Sequence, residues 1–353
     1  MKEFTIGKNE AGKRFDKYLF IILSNSSSGF IYKMLRKKNI TLNDKKADGK
    51  EKLSEGDSVK LYLSDETFEK FADKKIVALM SDGPDKKASN EAVLENNDNY
   101  LEAFKKIEKD FSPEIIYEDS EILLVNKPAG LLSQKAVPSD VSINEWLIGY
   151  LLEEDKISSK QLVTFKPSIC NRLDRNTSGI VICSKSLAGA QKMNELLKDR
   201  NVHKFYRTIV RGVVTSEMTI DGYLVKDERN NTVTISDTES EDSSHIVTRY
   251  IPLKTNEAMN LSYIEVELIT GKSHQIRAHL SSIGHPIIGD SKYGNIKFNS
   301  RFKKDYGLKY QLLHSYRLQM PKMTDAFIDI SEKTFVAKLP DIFNKLLKDN
   351  NLN

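Results

Sequence analysis

Beyond residue 113 the chain reads as short apolar runs that stop at polar turns, with helical patterns interspersed but in no regular strand–helix alternation. In "EIIYEDSEILLVNKPAGLL" two apolar runs flank "EDSE", a hairpin spacing, and the stretch ends in the turn Lys127-Pro128-Ala129-Gly130. "GIVICSKS", "KFYRTIVRGVV" and "YIEVELIT" read as strands, and "INEWLIGYLLEED" and "LAGAQKMNELLKD" as helices. No Gly-rich dinucleotide turn follows a strand. These patterns predict an α+β domain and exclude a doubly wound one. The polar stretch "VKDERNNTVTISDTESEDSSH" is expected to leave the sheet as an excursion.

The N-terminal part has a different texture. In "RFDKYLFIIL" Phe15, Tyr18, Leu19 and Ile22 recur at i, i+3, i+4 and i+7, one face of a helix. In "FIYKMLRKKNITLND" Ile31, Met34 and Leu35 make a buried stripe, while Lys33, Arg36 and Lys37 repeat the spacing on the opposite side. "NITLNDKKA" and "EGDSVKLYL" read as short strands, the second alternating through Val59, Leu61 and Leu63. Residues 1–64 carry 14 Lys/Arg against 8 Asp/Glu, whereas residues 65–112 carry 8 against 12. A basic module joined to a nearly neutral one suits nucleic-acid binding beside chemistry, although a solvated charged face explains the charge equally well. "SDGPDKKASNEAVLENNDN" shows no apolar periodicity and is expected to be a flexible acidic linker, with a short amphipathic helix in "YLEAFKKIEKDF".

Several chemistries lose their motifs. No apolar run approaches the roughly 20 residues that span a bilayer, and the N-terminus lacks a signal-peptide pattern, which makes the cytoplasm the expected location. Two cysteines are too few for a disulfide framework. "TGKSH" imitates the end of a phosphate-binding loop, but Val266 stands where the first glycine belongs. His274 and His279 lie five apart, which on a helix turns them away from each other, so no metal is expected. What remains are polar residues at strand ends: Asp174 in "CNRLDRNTSG", Tyr206 in "KFYR", and Lys272, His274, Gln275 and Arg277 in "GKSHQIRAHL". A carboxylate beside arginines favours its ionised form and suits a nucleophile or base. From these residues alone a structural ion pair explains Asp174 more readily than catalysis does.

"NRLDRNTSGIVICSKS" is similar to the signature of the RluA-type pseudouridine synthase family, and "VNKPAGLL", "KFYRTIVRG" and "TGKSHQIRAHLSSIGHPIIGDSKYG" follow in that family's order. About residues 12–64 resemble the S4-like RNA-binding domain through "RFDKYL", "RKKNITLND" and "EGDSVKLYL". The resemblance implies a mixed, largely antiparallel central sheet with peripheral helices, preceded by a small α/β S4-like domain. It implies RNA as partner and a cofactor-free isomerisation in which a uridine base is detached, turned and rejoined through carbon. Asp174, Tyr206 and Arg277 match the family's catalytic residues. Arg172, Ile276, Lys127 and Gln275 match substrate-contacting positions, and Lys33, Arg36, Lys37 and Lys38 are expected to meet RNA phosphates. Asn171 and Gln134 stand where many members have histidine. Expected boundaries are 1–64 for the S4-like domain, 65–112 for the linker, 113–325 for the catalytic domain and 326–353 for a C-terminal extension. Large-subunit ribosomal RNA is the expected substrate, with transfer RNA or a non-catalytic ribosome-assembly role as alternatives.

Overall fold

The computed structural model describes residues 1–80, 86–230 and 232–353. The chain opens with β1 (Lys2–Thr5), followed by α1 (Phe15–Ile22), which buries the face formed by Phe15, Tyr18, Leu19 and Ile22. α2 (Ser28–Arg36) begins where the Ser27 hydroxyl accepts the Phe30 amide, a side-chain cap that satisfies one of the helix's free N–H groups. Ile31, Met34 and Leu35 point inward, and Lys33, Arg36, Lys37 and Lys38 are all exposed. β2 (Ile40–Leu42), β3 (Lys45–Lys46) and β4 (Ser58–Leu61) complete a small sheet in the order β1-β4-β2-β3. Asn43 and Asp44 turn β2 into β3 with positive φ, a conformation their short polar side chains tolerate.

Residues 65–112 correct the expectation of a linker. They form α3 (Asp65–Phe71), α4 (Lys74–Met80) and α5 (Lys86–Phe111), while residues 81–85 of the expected tether lie outside the described residues. Phe68, Ala72 and Ile76 belong to the N-terminal core, which therefore extends past residue 64. The end of α5 packs on α6 (Ile143–Glu153), with Ile107, Trp146 and Leu147 in one cluster. Gly149 permits this approach, since a Cβ there would lie 2.4 Å from the Tyr100 carbonyl. This end of α5 is the short amphipathic helix expected in "YLEAFKKIEKDF", and the helix extends further back than its apolar spacing predicts.

In the larger unit β5 (Glu114–Glu118) and β6 (Ile122–Lys127) make the expected hairpin. After α6 come α7 (Ser159–Thr164), β7 (Ser168–Ile169), β8 (Ser178–Ser184), α8 (Leu187–Lys198), β9 (His203–Arg211), β10 (Met218–Asp227), β11 (Thr232–Ser236), β12 (Ser243–Asn256) and β13 (Leu261–Leu268). Then follow α9 (Gln275–Ser282), α10 (Ile296–Tyr306), β14 (Leu313–Gln319), a 3-10 turn over Asp325–Ile330, β15 (Thr334–Val336) and α11 (Asp341–Asp349). The sheet order is β11-β10-β12-β13-β9-β14-β8-β6-β5, with β15 on β14 and β7 on β8. Among the described residues every pairing between these strands is antiparallel except β8 with β14.

The fold is thus α+β with a mixed, largely antiparallel sheet. The expected polar excursion is instead its edge, the hairpin of β10 and β11, with Val233 buried beneath a polar outer face. Nor is 326–353 an appendage: β15 pairs with β14, and Phe343, Leu346 and Leu347 of α11 share a core with Ile209 and Leu261.

The parallel contact is the seam between the two halves of the sheet. Gly179 (φ 110°) faces Ser315 so closely that a Cβ would lie 2.2 Å from its carbonyl oxygen and 2.5 Å from its nitrogen. Backbone cannot yield there as a flexible side chain would. Gly179→Ala is expected to destabilise the protein by about 3 kcal/mol or more, through strain and the forced separation of β8 from β14. Chemical denaturation against the parent protein measures this, and a change below about 1 kcal/mol contradicts it.

Candidate active site

Asp174 lies in the loop that feeds β8, and the turn after β6 is laced to that loop. The Gly130 amide donates to the Arg175 carbonyl at 2.9 Å, and Arg175 Nε returns a bond to the Gly130 carbonyl at 3.1 Å. Ser133 Oγ donates to the Leu173 carbonyl at 2.8 Å and accepts the Leu173 amide at 3.0 Å. Beneath both turns Lys127, fully buried, reaches the carbonyls of Leu131, Pro128 and Arg175 at 2.8, 3.0 and 3.2 Å. These three acceptors match the three N–H bonds of an ammonium group. Burial pushes the Lys127 amine down to about 7, with the charge of Asp174 pulling the other way.

The second wall comes from α9. Arg277, its side chain 6% exposed, donates through Nη1 to Asp174 Oδ2 at 2.8 Å. Its other edge is gripped by Asp290, with Nε to Oδ2 at 2.7 Å and Nη2 to Oδ1 at 3.0 Å. Burial alone would raise the Asp290 carboxyl, but Arg277 and the amides of Tyr293 and Lys292 hold it below the usual carboxylate range. A planar guanidinium presents donors on two edges, so one Arg277 serves two carboxylates at once.

Tyr206 enters from β9, where it pairs with Ser315 of β14 and Val266 of β13. Its phenol is pushed up to about 12, chiefly by burial and further by Asp174, against an opposing effect from Ser315. Ile276 is buried in the same core cluster as Tyr206 and Leu173. Arg172 stands exposed at the rim, with no hydrogen bond or ion pair among the described residues. The structure therefore brings Asp174, Tyr206, Arg277 and Ile276 together beside an exposed arginine, at the seam of the sheet. Among the described residues no three of His, Cys, Asp and Glu are grouped to hold a metal ion.

The family model described as RNA pseudouridylate synthase matches residues 121–282, the span that holds this site. "Ribosomal large subunit pseudouridine synthase C" of Rickettsia felis is 31% identical over 336 residues, 94% of each chain. The protein of the same description from Rickettsia conorii is 30% identical, over 95% of this chain and 96% of that one. The chain belongs to the RNA pseudouridylate synthase family. Its fold matches the solved structure of Human RNA Pseudouridylate Synthase Domain Containing 4, with a TM-score of 0.56 over 72% of this chain and 98% of the other, at 23% identity.

In this pseudouridine synthase two expected substrate contacts are internal instead. Gln275 donates through Nε2 to the Val247 carbonyl and Thr248 Oγ1, and its Oε1 accepts from Thr270 Oγ1 and the Lys272 amide. It has no free group to offer. Lys127 is likewise sealed inside, fixing the turn from below. Asn171 turns its Oδ1 to the Ile182 amide at 2.7 Å, so the position ties the loop to β8. Gln134 is exposed. Arg175, left without a role by the sequence, fastens Gly130. Lys33, Arg36, Lys37 and Lys38 stand on the separate N-terminal unit.

The residue that sequence reasoning missed is Asp290. It sits in "GDSKYG", inside a recognised motif, but no nearby basic residue in sequence announces that its partner is Arg277. Asp290→Asn keeps the shape and removes the charge that anchors the guanidinium. Breaking such a buried pair is expected to cost about 3 kcal/mol of stability. Turnover should fall as well, because Arg277 loses the support that fixes its direction. Denaturation and RNA modification assays on one preparation check both, and a fully stable, fully active variant contradicts the anchoring role.

Proposed function

We propose that this enzyme isomerises uridine in large-subunit ribosomal RNA, with Asp174 as the reacting carboxylate and residues 1–64 as an S4-like grip on the RNA. The substrate reading draws support from the relatives described as ribosomal large subunit pseudouridine synthase C, which align with nearly the whole chain. The observation that carries the reading of the site is the pairing of Asp174 Oδ2 with Arg277, while no described hydrogen bond reaches Oδ1. One carboxylate oxygen is held and the other is available.

A uridine inside a helix cannot bring its ribose and base to the Asp174 carboxylate, so it must leave the stack first. Arg172, exposed two residues before Asp174, is suited to fill the gap that this leaves, and Tyr206 and Ile276, both nearly enclosed, would form the apolar wall behind the flipped base. The base is then detached from the ribose, turned, and rejoined through C5. Attack on the ribose, attack on the base and removal of a ribose proton all start from the same carboxylate. The exposed cations Lys33, Arg36, Lys37 and Lys38 would meet phosphates, contacts that set register and affinity without choosing sequence.

With transcripts tritiated at C5 of uridine, the parent protein should release label from ribosomal RNA, and Asp174→Asn should lower the rate on the order of 10³-fold, as loss of a reacting group does. Release from transfer RNA alone would move the substrate class. No release from either RNA would sink the proposal, and an unchanged rate in Asp174→Asn would remove Asp174 from the reaction. For the N-terminal unit, Arg36→Glu combined with Lys37→Glu should weaken RNA binding and lower the log–log salt slope by about 2, one for each lost phosphate contact. An unchanged slope in binding titrations means that this helix does not touch phosphate.

A further inference from the structure

His274 is the residue in this site that neither the family reading nor the pairing of Arg277 with Asp174 explains. Its backbone is left-handed (φ 57°, ψ 8°), which non-glycine residues seldom adopt, and it precedes α9 without using its side chain as a cap. The ring is directed elsewhere. Nδ1 lies 2.9 Å from the Tyr293 hydroxyl, and Nε2 lies 3.8 Å from Asp174 Oδ2. Tyr293 in turn accepts the Val233 amide of β11 at 2.7 Å. The Tyr293 ring meets the imidazole edge-on at 5.6 Å, and the Arg277 guanidinium lies over the same ring at 5.1 Å.

From these contacts we infer one placement of the protons. The Tyr293 oxygen accepts a hydrogen bond from the Val233 amide, and no acceptor for its own O–H other than His274 Nδ1 is found among the described hydrogen bonds. Tyr293 then donates its O–H to His274 Nδ1, which leaves the imidazole proton on Nε2, directed at Asp174. The same Oδ2 already receives Arg277 Nη1. At 3.8 Å the imidazole is short of a hydrogen bond, a separation that active sites close when substrate enters.

We propose that His274 is a positioning residue: a neutral imidazole, its tautomer set by Tyr293, that steadies Oδ2 of Asp174 together with Arg277, so that Oδ1 is the oxygen presented to uridine. The proposal rests on the reading of Asp174 as the reacting carboxylate. Charge agrees with a neutral ring. Burial lowers the His274 imidazole below 6.5, Arg277 and Lys292 push the same way, and Asp174 and Asp290 oppose them. With Tyr293, these are the charged and titratable groups that face it. Protonation would place a second cation at Oδ2, so turnover should fall as pH drops through this lowered value, below 6.5.

Two measurements on the full chain test this. Nitrogen NMR of 15N-histidine-labelled protein should show one histidine with unprotonated Nδ1 and protonated Nε2, titrating below 6.5, whose Nδ1 signal moves in Tyr293→Phe and disappears in His274→Asn. Asparagine tolerates the left-handed backbone and its amide stays short of Asp174. In single-turnover tritium release at saturating enzyme, His274→Asn should be about 10- to 100-fold slower at neutral pH, the loss expected of a misaligned reacting group. Its RNA affinity should be unchanged and its acid limb below pH 6.5 absent. Tyr293→Phe should lie between the two. A proton on Nδ1, or a parental rate and acid limb in His274→Asn, overturns the proposal while leaving Asp174 in place. An unimpaired Asp174→Asn overturns both, and so separates the two failures.

Discussion

Arg277 is a buried cation shared by two carboxylates, and the site is arranged around that sharing. A lone guanidinium in such a place would lose its hydration without return, and a single carboxylate would satisfy only one of its edges. Asp290 takes Nε and Nη2, and Asp174 takes Nη1. The two carboxylates are not equivalent. Asp290 is fully enclosed and receives two further amides from its own turn, whereas Asp174 is 26% exposed at the side chain. The enclosed one holds the cation in place, and the open one is left with an oxygen to use.

That geometry requires three chain segments far apart in sequence to meet within a few ångströms, and the sheet brings them there. β8 leads directly from the Asp174 loop, β9 carries Tyr206, and β14 lies between them. The parallel contact of β8 with β14 joins the two halves of the sheet, and it admits only glycine at position 179. The glycine that ends "CNRLDRNTSG" is therefore a point of close backbone contact. Lys127 does comparable work from below, since one buried side chain binds carbonyls of both turns that flank the site.

Local patterns told the truth about local structure. The faces of α1 and α2, the hairpin of β5 with β6 and the strands around Tyr206 all follow from periodicity, because each depends on residues within a turn or two of one another. What remained hidden depends on partners distant in sequence. Only the end of α5, "YLEAFKKIEKDF", announced itself by its apolar spacing, and the stretch before it in α5 did not. β10 and β11 looked like an excursion because an edge hairpin buries only one face, and most of their other residues are polar. At the site, motif order pointed to Asp174, Tyr206 and Arg277, but residue type could not separate Gln275 and Lys127, which face inward, from residues that face a ligand. Internal partners for every polar group mark Gln275 and Lys127 as structural, and those partners are supplied by distant parts of the chain.

The two units touch through polar groups. Lys8 pairs with Glu121 at 2.6 Å, Lys13 donates to the Thr164 carbonyl at 2.9 Å, and Glu10 accepts the Thr164 hydroxyl. Glu121 is buried and also receives Ser186, the residue that caps α8, so the partner of Lys8 is rigidly placed. Val163 adds an apolar contact against the N-terminal core. The basic helix is thus joined to the catalytic unit by side-chain contacts as well as by the chain itself. On the reading that α2 meets phosphate, the pair of units then measures RNA shape: only a uridine at the right displacement from the gripped backbone reaches Asp174. Contacts that carry no base information gain selectivity by being joined to the site.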